Sequence, residues 1–300
     1  MLASDGDLAR RLVLVRAATF GYAAAWLVVR APYLWDVSAL PDRRFEPVGV
    51  LAVLDWRPGR LVALTLIAVT LVSAVLAAAG RAIRVAAPLA ALGMLLVATL
   101  TSSFGQVFHT EHLLVLHLFV LGAHAWTADR HPRTDAWHVR WALGMLAAVT
   151  AITYVVAGVT KLRMSGTGWV GGEVLRNWVA ADNLRKLLLE DPYSPVGGKL
   201  AGIGWVWAPI AVATLAVELG APLAVLGARR QALRWAVTVW VAAAWLFHVG
   251  VLGLMAIAFP YQLSGVAYIA MLPVERMEGR VRTVLQRLRP YTPNAWRTQS

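Results

Sequence analysis

The stretch Val139–Thr160, VRWALGMLAAVTAITYVVAGVT, carries one charge, Arg140, near its start and none after it until Lys161. About 20 apolar residues cross a bilayer core, so this stretch reads as a membrane-spanning helix. It runs on into Lys161–Gly172, KLRMSGTGWVGG, a glycine- and tryptophan-bearing turn. Lys161, Lys186 and Lys199 are the only lysines among 28 basic residues; the rest are arginine. Arginine stays protonated, whereas a lysine in apolar surroundings can give up its proton. Two roles are therefore open for Lys161. It can snorkel its ammonium to the membrane surface as an anchor, or it can act as a base.

Working outward, 59% of the 300 residues are hydrophobic and 15% are charged, against roughly 25% charged in a soluble domain. Mean hydropathy is +0.63. These values define a membrane protein. Its expected spans are Leu12–Ala31, Leu61–Ala79, Val85–Phe104, His112–Trp126, Val139–Thr160, Trp205–Gly227, Leu233–Leu254 and Met255–Leu272. The last two form one apolar run broken at Phe259–Pro260, where proline removes a backbone donor. The expectation is an all-α polytopic bundle of eight helices over residues 1–273, followed by a basic tail over 274–300. The start, MLASDGDLARR, holds two Asp and no cleavage site of small residues, so the first span reads as retained.

The net charge of +12 falls in short arginine clusters between spans. That is where topogenic charge sits, and membrane lipid rather than nucleic acid is the expected partner. With eight spans, sixteen basic residues lie on the side of both termini and nine on the other. The positive-inside rule then puts both termini in the cytoplasm, and the arginine-for-lysine bias with Ala and Val richness suggests a bacterial inner membrane. Lys161 falls on the outer side. In the long outer connection Leu162–Gly204, Val174, Trp178, Ala181 and Leu188 recur at helical spacing, as in an amphipathic helix lying in the interface. The absence of Cys excludes disulfides, thiol nucleophiles and Cys-ligated metal sites.

Ionisable groups at bilayer depth mark function or inter-helix bonding. His109, Glu111 and His112 fall at the outer end of the fourth span. His117 and His124 share one face of it, suited to inter-helix hydrogen bonds, and no single face carries all four imidazoles, so no metal site is expected. Tyr154 and Lys161 share a face two turns apart. Glu218 lies midway along its span, positioned to pair with an arginine or a histidine. His248 lies about 21 Å from the cytoplasmic side, and Pro260–Tyr261–Gln262 forms an outer turn. A base, two imidazoles and a carboxylate at one depth suit a lipid-soluble substrate whose head group meets the interface.

The patch YVVAGVTKL with Trp169-Val170-Gly171-Gly172 resembles the membrane domain shared by the vitamin K-dependent γ-carboxylase and its bacterial relatives, the HTTM family, which includes the sporulation-delaying-protein B group. Supporting marks are Glu111–His112, the WLFH run ending at His248 and the VELGAPL run around Glu218. The resemblance covers Arg10 to about Pro273. It implies a lysine base, Lys161, that deprotonates a reduced naphthoquinone of the vitamin K or menaquinol type. It also implies orienting histidines at His112 and His248 and a wall at Trp169; their placement at one depth adds Tyr154, His109, Glu111, Glu218 and Tyr261 as candidate binding residues. Thr160 stands where the carboxylase has a second lysine, and Glu111 where it has Asn. The 300 residues hold no counterpart of its large extramembrane domain, so quinol chemistry is implied and carboxylation of a defined protein substrate is not. Two readings stand beside it: a scaffold or maturation partner for an exported peptide or redox protein, and a b-type haem protein with His112 and His248 as axial ligands.

Overall fold

Ser4 opens the first helix through a capping box. Its hydroxyl accepts from the Asp7 N–H at 3.1 Å, and the Asp7 carboxylate accepts from the Ser4 N–H at 3.2 Å, which satisfies two of the donors that a helix start leaves unpaired. The structure is a computed structural model. It describes residues 4–54, 56–105, 107, 109–127, 136–229 and 234–276; the tail beyond Arg276, together with Arg130, Arg133 and Arg230, lies outside the described residues.

Among these, six helices are long and apolar enough to cross a membrane: α1 (Asp5–Val29), α3 (Arg60–Ala78), α4 (Ile83–Ser102), α6 (Ala136–Ser165), α10 (Trp207–Arg229) and α11 (Arg234–Met255). α5 (His112–Thr127) is apolar and shorter, at 16 residues. α2 (Ala31–Ser38) follows α1, and three short helices lie between α6 and α10: α7 (Thr167–Val170), α8 (Glu173–Leu188) and α9 (Pro195–Leu200). The protein is an all-α polytopic membrane protein. Small residues let the helices approach closely, as membrane interfaces require. Ala74 and Ala77 of α3 and Ala86, Ala87, Ala90 and Ala91 of α4 are all buried.

Two expectations are corrected. α6 runs to Ser165, so Lys161 lies inside the helix and not at its end. The eighth span, Met255–Leu272, is not a spanning helix. Ala256 takes φ +51° and residues 256–259 are irregular. The chain then makes one turn, α12 (Pro260–Leu263), reverses at Gly265 (φ +77°) and continues as a 3₁₀ turn, Val266–Met271. Pro260 supplies no N–H to continue a helix from α11. This return segment still spans the bundle. It starts beside α8, whose Lys186 donates to the Met255 carbonyl. It ends at Glu275, which accepts from the Arg11 guanidinium at 2.7 and 2.8 Å. Arg11 stands at the opposite end from Lys161, because Arg140 at the start of α6 pairs with Asp5 at the start of α1 at 2.8 Å. Irregular backbone is tolerated at membrane depth only when protein encloses it, and Tyr261, Gln262, Ala267 and Tyr268 are buried. The expected outer turn at Pro260–Gln262 is therefore an interior element.

The interfacial helix is present as α8. Trp178 and Leu188 are exposed, whereas Val179, Asn183 and Lys186 are buried. Ala181 of the predicted stripe is exposed as well, Val174 packs against Trp169 and its neighbours, and the polar residues serve the protein. Asn183 Nδ2 donates to the Leu254 carbonyl at 2.8 Å, and Lys186 and the Ser194 hydroxyl donate to those of Met255 and Gly253. These three groups cap the last turn of α11, whose carbonyls lack intrahelical partners and whose dipole favours a cation.

The Arg11–Glu275 pair fixes the far end of the return segment and predicts a pH effect. Burial raises the Glu275 carboxyl, but the hydrogen bonds and charge of Arg11 prevail and hold it below its ordinary 4.5. A depressed carboxylate stabilises the fold above its unfolded value and loses that contribution as pH falls through the folded one. Glu275→Gln is therefore expected to melt below the wild type at pH 7 in detergent, with the gap closing as pH drops below 4.5. A gap unchanged down to pH 3 would show that the pair does not carry the difference.

Candidate functional site

Gly158 sets the site up. A Cβ there would lie 3.0 Å from Glu218 Cβ and 2.9 Å from Leu219 Cδ2, so glycine lets α10 rest on the α6 backbone. One turn further along α6, the Lys161 amine donates to Glu218 Oε1 and forms an ion pair with it. The Glu218 side chain is 2% exposed and that of Lys161 23%. Lys161, and not an arginine or a histidine, is thus the partner of Glu218.

Aromatic rings wall the amine. Lys161 Nζ lies 5.1 Å from the Trp169 ring centre and 5.6 Å from that of Phe247, within the range of cation–π attraction. Trp169 is brought there by α7, bounded by Gly166 (φ +51°) and Gly172 (φ +83°). It packs on Ala211 and Leu215 of α10. A Cβ at Gly172 would come within 2.3 Å of the Trp207 carbonyl carbon. The Trp–x–x–Gly spacing thus has a steric cause.

Behind the amine, the Tyr154 hydroxyl hydrogen-bonds His248 Nε2 at 2.8 Å and the Tyr268 hydroxyl at 2.6 Å. Phe259 stacks on His248 at 4.9 Å and on His109 at 5.4 Å, which joins the connection before α5 to the site. The structure therefore brings together Tyr154, Lys161, Trp169, Glu218 and His248, with His109 at the rim. His112 is exposed and meets His109 at 6.4 Å between ring centres. Glu111 is buried and accepts from the Thr110 hydroxyl at 2.6 Å. Burial, then the neighbouring His112, lower the His109 imidazole against the opposing pull of Glu111, which keeps it neutral at physiological pH.

Tyr261 belongs to a different cluster. Thr150 donates its one hydroxyl hydrogen to the Leu146 carbonyl at 2.9 Å, so it accepts from His117 Nε2 at 3.0 Å. His117 Nδ1 then accepts from the Tyr261 hydroxyl at 2.8 Å. Every role is filled, and this network ties α5, α6 and the return segment together, as the inter-helix reading of His117 holds.

Phe247, Phe259 and Tyr268 contact the cluster and were missed by sequence reasoning. Tyr268 had one signal, an aromatic hydroxyl inside the final apolar run. Three polar atoms around the site, Glu218 Oε2, His248 Nδ1 and Trp169 Nε1, are buried without a hydrogen-bond partner in the protein. Buried polar atoms in native proteins are generally hydrogen-bonded, so these three call for a partner, whether water, an ion or a bound group. No group of three His, Cys, Asp or Glu side chains suited to a metal gathers among the described residues. The fold and site define a polytopic membrane protein with a lysine–carboxylate pair flanked by aromatic rings. Comparison of the chain with family models, curated proteins and solved structures returns no match.

Proposed function

We propose that this chain is an integral membrane enzyme resembling the membrane domain of the vitamin K-dependent γ-carboxylase, with Lys161 as the base acting on a quinol or a similar lipid-soluble head group. The observation that carries this reading is the amine–carboxyl pair set among three unpartnered polar atoms at one end of the bundle. Separated charges are costly in low dielectric. When the proton of the pair resides on Glu218, Lys161 is a neutral amine able to take a proton from a hydroxyl. His248 Nδ1 is the remaining hydrogen-bonding atom of an imidazole already oriented by Tyr154, suited to hold an oxygen of the head group. A reduced naphthoquinone is the proposed substrate, and a bacterial inner membrane with cytoplasmic termini the proposed setting.

A UV difference spectrum of the detergent-purified protein with menaquinol tests the assignment. With dissolved dioxygen as the electron acceptor, binding and oxidation of menaquinol are expected in the wild type, and oxidation is expected to be lost in Lys161→Ala. No binding, or oxidation indifferent to the substitution, overturns the reading.

The same ion pair supports a second reading, in which Lys161 and Glu218 clasp α6 to α10 in a non-catalytic scaffold for an exported peptide or redox protein. Lys161→Arg separates the two, because arginine keeps the clasp and cannot serve as a base.

A further inference from the structure

We infer that a crevice at the end of the bundle opposite Lys161 binds one anionic phospholipid from the surrounding bilayer, an acyl chain inside and the phosphate at its mouth. The crevice has a volume of about 700 Å³ and lies between the starts of α1, α6 and α11, the end of α10 and the end of the return segment. That size falls within the ~300–1,000 Å³ of pockets that enclose small ligands. Leu143, Val225 and Met271 give it apolar walls, and among the described residues Arg11, Arg140 and Arg276 are the charged ones that line it.

The carboxylates nearby stand behind the guanidiniums. Glu275 holds Arg11 through two hydrogen bonds, and Asp5 holds Arg140 at 2.8 Å. The acids thus hold the arginines, and neither acid is among the described residues that line the crevice. Guanidinium groups recognise phosphate through paired hydrogen bonds, and an apolar chamber behind a basic mouth matches an acyl chain behind a phosphate. Gly144, Trp235 and Thr238 line the crevice and are exposed. The mouth therefore opens sideways between α6 and α11, where lipid enters without leaving the membrane.

Gly144 also provides the test. A Cβ there meets nothing within 4 Å, so a side chain can start at this lining position without a clash, and Gly144→Phe places a ring at the crevice. Native mass spectrometry of the full chain in detergent, titrated with phosphatidylglycerol or with phosphatidylcholine of the same acyl chains, reads the outcome. One phosphatidylglycerol adduct is expected, weakened about tenfold in Gly144→Phe and again in Arg140→Gln/Arg276→Gln. Should Gly144→Phe fail to fold, the arginine pair gives the same reading. Equal retention of phosphatidylcholine, or an adduct unaffected by both variants, overturns the proposal. So does displacement by millimolar inorganic phosphate, which would mark an anion site with no acyl chain.

Discussion

Glu218→Leu alone is expected to destabilise the protein more than Lys161→Met and Glu218→Leu together. Removing the carboxylate leaves the amine facing α10 with its charge uncompensated, at a cost of about 3–5 kcal/mol for a buried pair broken on one side. Replacing both with apolar residues of similar length removes the charge and its partner at once, which is often neutral. Thermal melts of the two single variants and the double variant in one detergent form a cycle that isolates the coupling. If the double variant melts at the sum of the two single losses, the pair is not coupled. The same double variant separates catalysis from stability. It is expected to be folded and unable to oxidise menaquinol, whereas a scaffold would keep its function.

The second large effect falls on adjacent glycines. Gly172→Ala is expected to disrupt the Trp169 turn, and Gly171→Ala to be tolerated. Gly172 sits at φ +83°, where any side chain is strained by about 1–3 kcal/mol, and its Cβ would press on backbone of α10 within 2.3–2.6 Å. Neither neighbour can give way, because both are main chain. At Gly171, by contrast, φ is −67° and the nearest atom to an added Cβ is 3.4 Å away. Melting temperature checks the first part. Fluorescence of a variant retaining Trp169 as its only tryptophan checks whether the indole leaves its packed site. Equal behaviour of the two alanine variants would remove the steric account of this turn.

Much of the bundle was legible because hydropathy is a property of contiguous residues. The α3, α4, α5, α10 and α11 helices fall where the apolar runs fall. The final run was not. Residues 255–272 are apolar enough to span, but apolarity does not say whether they face lipid or protein, and only enclosure by the other helices allows their irregular backbone. Helical spacing identified the apolar stripe of α8, whereas the inward turn of Asn183 and Lys186 to cap α11 has no signal in α8 itself. At the site, the Tyr154–Lys161 face follows from helix period alone. The identity of Glu218 as partner required knowing that α10 lies against Gly158, a long-range contact with no local signature. Tyr261 was misplaced because the turn holding it was read as a surface connection.

The buried, broken return segment has a consequence for the order in which the protein assembles. A helix can enter lipid alone because its backbone groups satisfy one another; residues 256–276 cannot, since their N–H and C=O groups need enclosing protein. The last crossing therefore has no independent membrane-inserted state and settles only into a groove already formed by α1, α6 and α11. Tyr261 and Tyr268, which complete the His117 and Tyr154 hydrogen bonds, arrive with it. The hydroxyl behind the proposed base is in place only once the rest of the bundle has been built, so the site matures as the final step of assembly.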